Sequence, residues 1–125
     1  MIKGFPENEK RAFMRAADLF VSVSAFESFG IVYLEAWREK KAVIGCRRGA
    51  SARLIREFVD GLQVYDRNPI ELAGAIIELL EHPEVREKMG RNGYDKVVRD
   101  FSWPGIMNKW EAIYYDAVHQ RRNPR

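Results

Sequence analysis

The chain has 125 residues, 46% hydrophobic and 31% charged, which is one domain's worth of sequence with apolar material for one core. That balance excludes a disordered segment, and no apolar run approaches the ~20 residues needed to cross a bilayer. The net charge of +3 comes with two basic clusters (Arg47, Arg48, Arg53, Arg56 and Arg121, Arg122, Arg125) that lack interleaved exposed aromatics, so no nucleic acid is expected as a partner.

In chain order, Pro6-Glu7-Asn8-Glu9 opens a helix whose buried stripe is Ala12, Phe13, Ala16 and Ala17. Leu19 to Ser24 is a β-branched apolar run of strand length. A helix from Gly30 to about Lys40 turns inward Ile31, Leu34 and one of Ala36 or Trp37. A second strand, Ala42 to Gly45, precedes a helix from Ser51 to Val59 carrying Leu54, Ile55 and Phe58. Asp60-Gly61 turns into a third strand, Leu62 to Tyr65. Asn68, Pro69 and Glu71 are the cap, first-turn proline and capping-box acid of a helix lined by Leu72, Ile76, Leu79 and Leu80. His82-Pro83 ends it. The next helix holds Val85 and Met89, breaks at Gly90 or Gly93 and resumes through Val97 and Val98. Ser102 and Pro104 open the last, with Ile106, Trp110, Ile113 and Ala117 on one face; residues 121–125 are expected to be a frayed basic tail.

Strands alternating with helices predict an α/β fold with a parallel sheet and right-handed crossovers, followed by a helical half. The lone Cys46 excludes an internal disulfide, and with no secretory leader a cytoplasmic setting is expected. Two separated histidines, His82 and His119, exclude a Cys/His zinc site.

In such sheets ligands bind beyond the carboxyl ends of the strands, which directs attention to the loops after Ser24, Gly45 and Tyr65. The first reads Ser24-Ala25-Phe26-Glu27-Ser28-Phe29-Gly30 and runs into Ile31-Val32-Tyr33-Leu34-Glu35. A glycine at the start of a helix lets a ligand approach the backbone, and the helix amino end favours phosphate. Glu35 lies five residues on, roughly 7–8 Å along the axis, about the span from a pyrophosphate to a ribose. A carboxylate accepts two hydrogen bonds side by side from a diol. The bland alternative for Glu35 is a solvated helix residue. Arg47 and Arg48 either face phosphate or are solvated loop charges. There is no G-x-G-x-x-G after a strand and no P-loop.

Ala17-Asp18, Ser24, Glu27, Phe29, Gly30, Glu35 and Ala36, in that register, resemble the donor-site signature of retaining GT-B glycosyltransferases, the family-four-like "glycosyl transferases group one". Lys41-Ala42-Val43-Ile44, Asp60-Gly61-Leu62, the capped helix at Asn68 and Phe101-Ser102-Trp103 continue the resemblance. The chain departs from it at Val23 (usually proline), at Ser28 (usually glycine), and at Gly49-Ala50 and Arg53, where a glycine pair and a glutamate are usual. The resemblance implies a truncated Rossmann-like, three-layer donor-binding domain over residues 1–125, without the acceptor domain. It implies Glu27 and Ser28 at the donor sugar, Phe29, Gly30, Arg47 and Arg48 at the diphosphate, and Glu35 at the ribose. No catalytic residue, cofactor or metal is expected in this half; the nucleotide-sugar is a substrate.

The implied function is the nucleotide-sugar-binding portion of a hexosyltransferase, inactive alone, at the inner membrane surface when part of a longer enzyme. A non-catalytic stand-alone binding or assembly module is the alternative. The strand order implied by the resemblance, 3-2-1-4-5-6, aligns Met1–Gly4 with the third strand and leaves Leu19–Ser24 at an edge. The gap is expected to be filled by Met1–Gly4 moving inward or, the favoured option, by a homodimer through that edge; a separate chain carrying the missing half is the other partner expected.

Overall fold

The computed structural model describes residues 6–24, 26 and 28–122, with the side chains at 7, 8, 116 and 119–122 excepted. The elements are α1 (Glu7–Ala16), β1 (Leu19–Ser22), α2 (Ile31–Arg38), β2 (Ala42–Cys46), α3 (Gly49–Leu54), β3 (Gly61–Val64), α4 (Pro69–Glu81), α5 (Pro83–Asp100) and α6 (Trp103–Arg122). The chain divides into two compact units, Met1–Tyr94 and Asp95–Arg125.

The first unit is built on a parallel sheet of order β1-β2-β3. Leu19 pairs with Ala42 and Ser22 with Gly45, while Val43 pairs with Gly61 and Cys46 with Val64. Alternation sends Ala42, Ile44, Leu62 and Val64 to one face, where they pack with Leu79 of α4 and Met89 of α5; Leu19, Val21 and Val23 border the same core. On the other face Phe20 meets the Tyr33 ring of α2 edge-on, and Gln63 donates to the Ile55 carbonyl at 2.7 Å. The central strand β2 is buried along its whole length, as expected of a parallel strand covered by helices on both faces. The fold is α/β and Rossmann-like.

Several local expectations are corrected. Ile31 is 59% exposed, and Tyr33, Ala36 and Trp37 are the buried residues of α2. Trp37 is drawn inward because its Nε1 donates to the Asp60 carbonyl at 2.8 Å. Helix α3 starts earlier than Ser51 and ends at Leu54. Ile55 is extended, and Phe58 lies exposed in the turn that accepts the next strand. Helix α5 is unbroken at Gly90 and Gly93. A side chain at 90 would strike the Lys40 carbonyl and one at 93 the Trp37 indole, so these glycines serve close packing. Phe13, expected to be buried, is half exposed, because its face of α1 borders an open hollow beside β1.

The cap of α4 forms as expected, with the Asn68 side chain accepting from the Glu71 N–H at 3.2 Å. In the second unit, the Ser102 hydroxyl accepts from the Gly105 N–H as α6 begins. Trp110 and Ile113 of α6 are exposed. Helix α6 runs to Arg122, and the rest of the basic tail lies outside the described residues, as does Met1–Gly4.

Candidate nucleotide-binding site

The β1–α2 junction forms as a turn closed by Gly30, whose φ of 85° and ψ of 35° put it in the left-handed region. A β-carbon there would also crowd the Tyr33 ring, so glycine is required twice over. Below the turn, the Tyr33 hydroxyl donates to the Ser22 carbonyl at 2.6 Å and ties α2 to the end of β1. Phe26, Ser28 and Phe29 are exposed while Gly30 is buried. Glu27 lies outside the described residues.

Glu35 is placed one and a half turns along α2, half-buried and facing α1. Its Oε1 lies 2.5 Å from Lys10 Nζ, and its Oε2 is buried without a hydrogen-bond partner. A buried acceptor left unpaired costs about 1–3 kcal/mol, so this oxygen favours any hydroxyl or amide that reaches it. Beside it opens a hollow of about 320 Å³ walled by Phe13, Met14, Ala17, Phe20 and Val32. Glu39, one turn further on at the C-cap of α2, is different: Arg11 donates to its Oε1 at 2.5 Å and Arg15 to its Oε2 at 2.6 Å. Burial pushes the Glu39 carboxyl up, but the two guanidinium hydrogen bonds outweigh it and hold the group below its ordinary value.

At the ends of β2 and β3 the two arginines separate in role. Arg47 makes two parallel hydrogen bonds to Glu57, each 2.8 Å, and a third to the Gln63 carbonyl at 2.7 Å. Its guanidinium also lies over the Tyr65 ring and 3.5 Å from Glu71. Burial pulls its pKa down, yet the Glu57 carboxylate dominates and the net direction is up. Arg47 therefore clamps the loops together. Arg48 is exposed and pairs more loosely with Asp66, at 3.4 Å. On α3, the buried Ser51 hydroxyl shares its one proton between the Cys46 and Arg48 carbonyls.

Parallel pairing of Ser22 with Gly45 sets the Ser28–Gly30 turn and the Arg47–Arg48 loop at the same, carboxyl, edge of the sheet. The sequence did not point to Lys10 or Glu57, and it marked Tyr65 only as the end of a strand. Glu71 was legible as a capping acid, but not as the acceptor of the Tyr65 N–H at 2.9 Å.

A parallel sheet covered by helices, with a glycine-started helix at its carboxyl edge, defines a Rossmann-like α/β protein. Residues 1–96 match the family model described as "Glycosyl transferases group 1", and the chain belongs to that family. It is 34% identical over 113 residues to a D-inositol 3-phosphate glycosyltransferase of Corynebacterium glutamicum, covering 90% of this chain and 27% of that protein. Its fold is similar to the C-terminal domain of the group 1 glycosyl transferase LpcC from Francisella tularensis, with TM-score 0.73 and 31% identity over 82% of this chain and 52% of that one. Anabaena HepE, solved in complex with UDP, shares the fold at TM-score 0.75 and 24% identity, over 83% of this chain and 29% of that one. The chain thus spans about a quarter of the length of the curated relative.

Proposed function

We propose that this chain is the nucleotide-sugar-binding part of a retaining glycosyltransferase that transfers a hexosyl group. The observation that carries the reading is the buried, unpaired Oε2 of Glu35, five residues behind the left-handed Gly30. Glu35 accepts the ribose diol, and the amino end of α2 at Phe29–Gly30 faces the diphosphate, where the helix dipole favours negative charge. Arg48, exposed and loosely paired, adds positive charge there, while Arg47 holds the loop. Glu27 and Ser28 meet the donor sugar. The donor phosphate assists the acceptor, so no cofactor, metal or protein nucleophile is required from these residues. No described helix is long and apolar enough to cross a membrane. The lone, buried and unoxidised Cys46 supports a cytoplasmic setting.

The experiment is a calorimetric and NMR titration of the chain with UDP, GDP and ADP, beginning with UDP because HepE shares the fold. Glu35→Gln is expected to lose about 1.5–3 kcal/mol of binding, the worth of a charged hydrogen bond, and more than Glu27→Gln loses. The same preparation is expected to transfer no sugar, because it spans about a quarter of the length of the curated relative and effective molarity is a large share of any rate enhancement. Equal affinities for the wild type and Glu35→Gln would remove Glu35 from the site. Steady transfer to an added acceptor would overturn the expectation of inactivity.

A further inference from the structure

We propose that Lys10 is the positioning residue of the nucleotide site, acting through Glu35; the inference rests on the reading of Glu35 given above. Helices α1 and α2 are bridged by two carboxylates one turn apart, Glu35 on α2 and Glu39 at its C-cap, and α1 answers them differently. Glu39 has an arginine on each oxygen. Glu35 has a single ammonium on Oε1, at 2.5 Å, and a buried Oε2 with no partner.

An ammonium is a compact donor that occupies one acceptor position, whereas a guanidinium forks across both oxygens of a carboxylate. Lysine at position 10 therefore fixes the plane of the Glu35 carboxylate and leaves its second oxygen unspent. A glutamate side chain held by nothing would turn about its own torsions, and the tie at Oε1 keeps the unspent Oε2 in place for a hydroxyl of the diol. Apart from Lys10 and Glu35 themselves, the adjoining hollow is lined by the apolar Phe13, Met14, Ala17, Phe20 and Val32. Lys10 is more than one-third exposed, so its replacement removes the tie without opening the core.

The readout is the diol advantage, the ratio of affinities of the chain for UDP and for 2′,3′-dideoxy-UDP, with the GDP or ADP pair used if that is the base accepted. In the wild type the ribose nucleotide is expected to bind better. In Lys10→Met and Lys10→Ala this advantage is expected to shrink about tenfold while affinity for the dideoxy nucleotide stays the same. A purely structural lysine would lower both affinities together, and that result, or an unchanged diol advantage, overturns the inference. Tighter UDP binding by Lys10→Met also overturns it, since the lysine would then be competing with the ligand. A wild type that binds both nucleotides equally, or none of the three diphosphates, defeats the reading of Glu35 itself.

Discussion

A hydrogen atom is all that fits between α5 and the Trp37 indole at position 93. Gly93→Ala is therefore expected to destabilise the protein by about 1–3 kcal/mol, the range for overpacking a filled interior. Gly74, in the middle of α4, has nothing within 4 Å of where its β-carbon would stand. Gly74→Ala should stabilise by about 0.5–1 kcal/mol through helix propensity. Urea denaturation of the two variants checks both signs, and equal midpoints would contradict the close approach of Gly93 to Trp37. The same residue shows what sequence reading misses. Glycine inside a helical pattern reads as a break, because the tertiary neighbour that requires it, 56 positions away, leaves no local signal. Glu35 was legible because helical rise alone sets its distance from Gly30. Lys10 was not, since only the packing of α1 on α2 brings a residue 25 positions upstream to its carboxylate.

At the scale of elements, α1 is fastened to α2 by charge as well as by apolar contact. Its face toward the hollow keeps Phe13 half exposed, while Arg11 and Arg15 hold Glu39. The Glu39 carboxyl lies below its usual value of 4.5 in the folded chain. Its contribution is accordingly full above about pH 5 and is lost as pH falls through the folded-state value. Glu39→Gln should cost about 1–2 kcal/mol at neutral pH, discounted because both arginines are largely exposed. The gap between variant and wild type should close on acidification below the usual glutamate range. A gap that stays constant from pH 7 to pH 3 would show that the ion pairs contribute nothing. The strands and the capped α4 were legible from alternation and from Asn68, Pro69 and Glu71. The end of α3 was not: Ile55 and Phe58 satisfy helical spacing, yet the turn that buries Asp60 and receives β3 takes the chain out of the helix.

At the scale of the molecule, β1 is an edge strand, with β2 on one side and no strand on the other among the described residues. It is only half-buried, and Phe20 borders the hollow, so hydrogen-bonding groups and apolar surface are offered together. Pairing of two copies through the Leu19–Ser24 edge is the expected outcome, measured by sedimentation and lost in Phe20→Lys. A monomer whose Leu19–Ser22 amides exchange freely would sink it. The burial of Trp37 has one more consequence. It is the single tryptophan of the sheet-bearing unit, with its ring fully enclosed and its N–H held by Asp60, while Trp103 and Trp110 of the other unit stand exposed. A soluble quencher such as acrylamide would silence the two exposed indoles and leave the short-wavelength emission of Trp37. The protein thus carries an intrinsic optical reporter for one unit alone, by which melting of the sheet can be followed separately from that of the terminal helix.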